Sequence, residues 1–304
     1  MPQPDHSPLL HPRYWLSWLA VSLFWLIGQL PWNLLLTLGR ALGRISYYLG
    51  GERRQVARIN IDLCFPELTA KQREDLVRDT LISTGEAALE AAGSYCNRRI
   101  DLHRRTEISG IEHLESAQAR GRGVLLIGMH LNTLDVASRV IGEMMPLSAV
   151  YRPVANPVVE HMVNRGRGGN IEHYIDRMAL RQLLRVLKAG KVVWYAPDQN
   201  YGRRQAVFAP FFGVPTATIT ATSRIARMSR AALVPVSHFR LPGGRYRICF
   251  GPEIEGFPTG DDAEDAAIIN RVIENEVRKA PEQYLWVHRR FKRQPNGKKP
   301  YRHS

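Results

Sequence analysis

His130 and Asp135 stand in an H-x4-D arrangement within GVLLIGMHLNTLDVASRVIG, where an apolar run ends at Gly128 and a helical pattern begins near Leu134. An imidazole beside a carboxylate is the smallest set able to take a proton from a hydroxyl, the acid fixing the tautomer and stabilising the imidazolium. On a continuous helix this offset would turn the two side chains about 140° apart. A strand-to-helix turn removes that obstacle by letting the carboxylate fold back onto the ring. The spacing itself is a weak signal: with ten histidines and 28 acids in 304 residues, about one such match is expected by chance. A histidine that merely caps a turn, with Asp135 capping the helix, is the competing reading.

Two other stretches carry candidate groups. Asp198 follows KVVWYAP at the end of a second strand-like run, ahead of Gln199, Asn200 and Tyr201; the commoner fate of such an Asp is to form a turn. Arg165, Arg167 and Arg177 gather around glycines in VNRGRGGNIEHYIDR, as a site for anionic groups would, or as a solvated basic loop would. That stretch fits neither dinucleotide-binding nor P-loop glycine spacing. There is no G-x-S-x-G, no H-E-x-x-H and no C-x-x-C, and the three cysteines (Cys64, Cys96, Cys249) are scattered. Covalent catalysis, a disulfide scaffold and a cysteine metal site therefore have no candidate, and neither a metal nor a cofactor is expected.

The elements that must position these groups alternate. Strands are expected at Gly123–Gly128, Leu147–Tyr151, Lys191–Ala196, Ala232–Phe239 and Arg245–Gly251, and helices at Leu134–Met145, Met178–Ala189, Thr216–Ser229 and Ala263–Ala280. A further helix starts after Thr69, whose partner Gln72 completes a capping box. This alternation predicts an α/β layered domain with a mostly parallel central sheet flanked by helices. Functional groups in such sheets collect at the C-terminal strand ends, where His130 and Asp198 fall.

From Tyr14 to Gly39 no residue is charged, a run of about 26 residues against the ~20 that span a bilayer core. Trp15 and Trp32 sit near its ends, as interfacial anchors do. The expected organisation is a membrane anchor at 14–39 and a domain at 40–304, the anchor either a spanning helix of about Tyr14–Leu30 or, because of Pro31, a kinked helix within one leaflet. Arg40, Arg44, Arg53, Arg54 and Arg58 follow it, which by the positive-inside rule puts the domain in the cytoplasm. The chain's net charge is +14, and a basic tail runs through His288–Ser304. Such a surplus asks for acidic partners. No nucleic-acid module is visible, so nucleic acid is not expected.

Several segments together resemble the late acyltransferases of lipid A biosynthesis, the lauroyl and palmitoleoyl transferases acting on Kdo2-lipid IVA. They are the N-terminal apolar run, NIDLCFPELT, GMHLNTLD, VYRPVANP, NRGRGGN, VVWYAPDQNYGR with FAPFF, and APEQYLWVHRRFKRQP, in family order from about residue 14 to 295. The resemblance implies a glycerolphosphate-acyltransferase-like fold behind an N-terminal membrane helix, at the inner membrane and facing the cytoplasm. It implies an O-acyltransferase with an acyl carrier protein thioester as donor and a phosphorylated lipid A precursor as acceptor. It makes His130 and Asp135 the catalytic dyad, with Arg167 and Asp198 binding substrate or the transition state. The lauroyl and palmitoleoyl members usually carry Glu where this chain has Asp135, while APDQNYGR and FAPFF lean to the palmitoleoyl type. The acyl length is therefore not assigned. Competing readings are an acyltransferase acting on a glycerolipid or ornithine lipid, and a non-catalytic protein that binds anionic lipid through its basic surface.

Overall fold

The computed structural model describes residues 7–167, 171–200, 205–295, 297 and 300–301. Tyr201, the Gly-Gly-Asn end of the glycine stretch and part of the basic tail lie outside them. Four helices lead: α1 (Trp15–Gly28), α2 (Trp32–Leu49), α3 (Gly51–Cys64) and α4 (Ala70–Cys96). The expected capping box at the start of α4 is present, Thr69 Oγ1 accepting from Gln72 N and Gln72 returning the bond. Then follow β1 (Thr106–Ser109), α5 (Ile111–Ala119), β2 (Val124–Ile127), α6 (Leu134–Met144), β3 (Leu147–Tyr151), α7 (Pro157–Arg167), β4 (Ile171–Asp176), α8 (Leu180–Lys188) and β5 (Val192–Tyr195). A hairpin of β6 (Ala206–Phe211) and β7 (Val214–Ile219) leads to α9 (Ala221–Ser229), β8 (Ala232–Leu241), β9 (Arg245–Phe250) and α10 (Asp262–Val277).

Seven strands form one sheet in the order β1-β9-β8-β2-β5-β3-β4, parallel at every pairing except β8 with β9. Successive residues of β2 feed opposite cores: Leu125 and Ile127 pack with α3, α8, α9 and α10, while Val124 and Leu126 pack with α2, α5 and α6. Burial on both faces explains why the central strands read as unbroken apolar runs. The α/β layered domain expected from the sequence is the observed architecture. One expected helix is in part a strand: Thr216–Ile219 belongs to β7, where Thr216 and Thr218 are buried against the hairpin and α10.

The N-terminal anchor differs more. Among the described residues no helix is long and apolar enough to cross a membrane. Pro31, which has no N–H to give, separates α1 from α2, and α1 with its 14 residues reaches only ~21 Å of a ~30 Å core. Residue 39, the expected boundary, falls inside α2. Both helices are instead two-sided. Trp32, Leu35, Leu36, Gly39 and Gly43 face the core, while Leu34, Leu38, Leu42, Ile45 and Leu49 form an exposed stripe three or four residues apart. On α1, Leu16, Leu19, Leu23 and Leu26 do the same.

α2 and α4 meet backbone to backbone. A Cβ on Gly85 would lie 2.4 Å from the Gly39 carbonyl oxygen, so only glycine fits that seam. Beside this seam α4 sends Glu86 and Glu90 toward the sheet. Arg240 of β8 grips Glu90 through two 2.6 Å bonds and Glu86 through one of 3.0 Å, Tyr246 donates to Glu90, and Arg40 of α2 also donates to Glu86. Glu90 is 1% exposed. Its charge is tolerable only because it is neutralised where it lies. An Arg240→Met substitution would leave two buried carboxylates together and should cost ~3–5 kcal/mol, read as a lower midpoint of urea unfolding. An unchanged midpoint would refute this account of the α4–β8 join.

Candidate active site

β2 and β5 are parallel neighbours in register, Ile127 beside Tyr195. Three residues past each of these positions come His130 and Asp198, so the two meet above the sheet. His130 Nδ1 lies 2.6 Å from Asp198 Oδ1, and the His130 backbone N–H donates to Asp198 Oδ2 at 2.8 Å. The carboxylate accepts only, so Nδ1 carries hydrogen and Nε2 offers its lone pair. Asp198 is 1% exposed, whereas the His130 side chain is 25% exposed. Burial would raise the Asp198 pKa, but the charge and hydrogen bonds of His130 win and hold it at about 2. Burial would likewise lower the His130 pKa, and the adjacent carboxylate outweighs it and raises it.

A distant segment clamps the same turn. The His130 carbonyl accepts from Leu285 N at 3.1 Å, and Asn132 N donates to the Gln283 carbonyl at 2.7 Å. That segment is held in turn by buried Asn60 of α3, whose Nδ2 donates to the carbonyls of Trp286 and His288.

Asp135 does not hydrogen-bond His130. The turn ends at Thr133, α6 starts at once, and its first turn aims Asp135 at the C-terminal ends of α4 and α7. There it accepts from the Tyr95 hydroxyl and from Arg167 Nη2. The carboxylate that the structure sets against the imidazole is Asp198, not the Asp135 that the spacing suggests, because a carboxylate at a helix start can face any neighbouring element. Arg167 ends α7 rather than lying in a loop, and stays protonated: burial disfavours its charge, but Asp135 more than compensates. Its guanidinium stacks 5.2 Å from the Tyr95 ring centroid, and its buried Nε has no partner among the described residues. Arg165 and Arg177, its companions in sequence, are exposed.

His130 and Arg167 border one cavity of about 330 Å³. His238, Arg152 and Gln199 are among its other polar lining residues, and Leu134, Ile141, Leu147 and Ile171 among its apolar ones. An imidazole lone pair and a guanidinium N–H thus open on an apolar recess. That suits proton removal from a hydroxyl beside a developing oxyanion, with an alkyl chain buried alongside. Two contributors escaped sequence reasoning. Tyr95 gives no local signal in its helix, while His238 is a polar ring inside the apolar strand ALVPVSHF and is detectable as a buried exception.

The family model for bacterial lipid A biosynthesis acyltransferases matches residues 3–293. The chain is 42% identical over 296 residues to a lipid A biosynthesis lauroyltransferase of Escherichia coli (strain K12), covering 96% of each protein. It is 40% identical to the lipid A biosynthesis palmitoleoyltransferase of the same organism, over 95% of this chain and 94% of the relative. With the myristoyltransferase of that organism it shares 28% identity over 99% of this chain and 94% of the relative.

If a neutral His130 is needed for turnover, its raised pKa puts the acidic limb of the pH–rate profile above the ordinary imidazole value of 6.5. Asp198→Asn removes the stabilising charge, so the limb should move to lower pH and turnover should fall ~10²–10⁴-fold. Asp135→Asn should leave the limb where it is. Rate profiles of acyl transfer from pH 5 to 9 decide this, and a limb that moves with Asp135 instead would reinstate the H-x4-D pairing.

Proposed function

Because the chain belongs to the bacterial lipid A biosynthesis acyltransferase family, we propose that its cavity transfers a fatty acyl chain from an acyl carrier protein thioester to a hydroxyl of a lipid A precursor of the Kdo2-lipid IVA type. The observation that carries this is the oriented His130–Asp198 pair opening, beside Arg167, on an apolar recess. His130 Nε2 takes the proton as the acceptor oxygen attacks the thioester carbonyl. The oxyanion so formed is met by a donor such as Arg167 Nε, which is buried and otherwise unused. When the tetrahedral intermediate collapses, the C–S bond breaks and the imidazolium proton goes to the departing thiolate. One ester and one thiol replace one hydroxyl and one thioester. In this reading Asp198 holds the tautomer, and Asp135 acts through Arg167, which it fixes against Tyr95.

The membrane role passes from a span to a surface. The exposed stripes of α1 and α2, with Arg40 and Arg44 beside them, suit helices lying in the plane of an anionic leaflet, and we assign that to the cytoplasmic face of the inner membrane. The acidic carrier has a different counterpart. α8 and α9 pack side by side on the sheet face opposite α2. They expose Arg181, Arg185, Arg224 and Arg227, none with an acidic partner among the described residues. Their N-terminal ends border a cleft that shares Val150 with the catalytic cavity. A basic face there supports an acidic protein that delivers its thioester arm over the strand ends.

Membranes carrying the protein, given labelled acyl carrier protein and a tetra-acylated lipid A precursor, should transfer label, and His130→Ala should lower the rate by at least ~10²-fold. Near wild-type transfer by that variant would sink the mechanism, and preference for a glycerolipid acceptor would replace the substrate. Arg181→Glu with Arg224→Glu should raise KM for carrier-borne donor ~10-fold and flatten its salt dependence, while a small-molecule thioester is used as before. An unaltered KM for the carrier would move the docking site off this face.

A further inference from the structure

The cavity holds a second imidazole that the reaction outlined above does not use. His238 lies in β8, is 2% exposed and borders the same recess as His130. Its surroundings fix its tautomer. Thr133 Oγ1 sits 2.9 Å from the His238 carbonyl oxygen, which can only accept, so the hydroxyl proton goes there. The same oxygen is 2.8 Å from His238 Nδ1 and must therefore be the acceptor of an Nδ1–H. Nε2 is left as a bare lone pair, buried and with no partner among the described residues.

Three roles are closed to this atom. Without a hydrogen it cannot stabilise an oxyanion. Burial, followed by the neighbouring charge of His130, lowers its pKa to about 4, so it is a poor base at neutral pH. A charged ligand is also disfavoured, an anion because the lone pair repels it and a cation because Arg152 and Arg167 stand in the same cavity wall. What remains is to accept from an uncharged N–H or O–H. The attacking hydroxyl cannot be that donor, since its single proton goes to His130.

We infer that His238 Nε2 is a specificity-determining acceptor, taking a hydrogen bond from an uncharged donor group of a substrate, an amide N–H or a second hydroxyl, next to the reacting centre. This rests on the acyl-transfer reading. Such a donor exists in principle on either partner, in the thioester arm of the carrier or on the lipid acceptor. A site built to receive it penalises analogues that lack it.

His238→Phe keeps the ring's outline without an acceptor, and His238→Gln returns one near the Nε2 position. With carrier-borne donor and lipid acceptor varied in turn, the Phe variant should raise KM for one of the two ~10–100-fold. The other KM should stay put, the melting temperature should be preserved, and Gln should recover most of the loss. Which KM moves identifies the substrate that carries the donor. The second arm uses the unaltered protein: analogues with ester in place of amide, or with the second hydroxyl methylated, should lose the same factor in the wild type and nothing further in the Phe variant. Unchanged KM values in the Phe variant, or wild-type indifference to every analogue, overturn the inference. Wild-type protein that transfers no label at all would instead overturn the reading beneath it.

Discussion

A carboxylate buried to 1% under an imidazole is the constraint around which this molecule is arranged. Asp198 stays ionised without solvent because it receives the ring N–H and the backbone N–H of one residue, His130. Two parallel strands in register that end side by side, as β2 and β5 do, bring the two residues to this arrangement. The sheet order, with β5 beside β2 although β3 and β4 intervene in the chain, is thus what brings residue 198 to residue 130. Removing either partner leaves the other in a medium that tolerates it poorly.

Around that pair the charges are sorted by depth. Two buried acid–base clusters, Asp198 with His130 and Glu86 and Glu90 with Arg240, are matched internally. The first fixes the tautomer of the His130 ring, and the second joins α4 to the sheet so that Tyr95 at the helix end, and through it Asp135 and Arg167, has a fixed position. The surplus of basic residues stays outside, some beside the apolar stripes of α2 and some on α8 and α9. The net charge of +14 that first suggests any acidic partner thus includes exposed arginines on opposite sides of the sheet, Arg44 on α2 and Arg181, Arg185, Arg224 and Arg227 on α8 and α9.

Much of the layering was legible because strands buried on both faces print themselves as apolar runs: Leu147–Tyr151 and Val192–Tyr195 need no further help. The short edge strand β1 and the half-polar β4, with Glu172 and His173 exposed, carry no such print. The uncharged run at residues 14–39 was legible as apolar but not as two helices, since a stripe that faces solvent and a stripe that faces a core have the same composition. His130 and Asp198 could be placed at strand ends, yet their pairing depends on sheet order, which local sequence does not encode. The H-x4-D spacing weighs sequence neighbours, whereas the hydrogen bonds of His130 join neighbours in space.

The turn carrying His130 is closed by Gln283 and Leu285, roughly 150 residues downstream, and those are kept in place by Asn60 near the other end of the chain. Strands β2 and β5 pair through their own backbones, but the turn between β2 and α6 takes its remaining backbone partners from the segment beside Trp286, which α3 holds through Asn60. The pose of the imidazole is therefore governed from afar, by contacts that join residues as much as 228 positions apart.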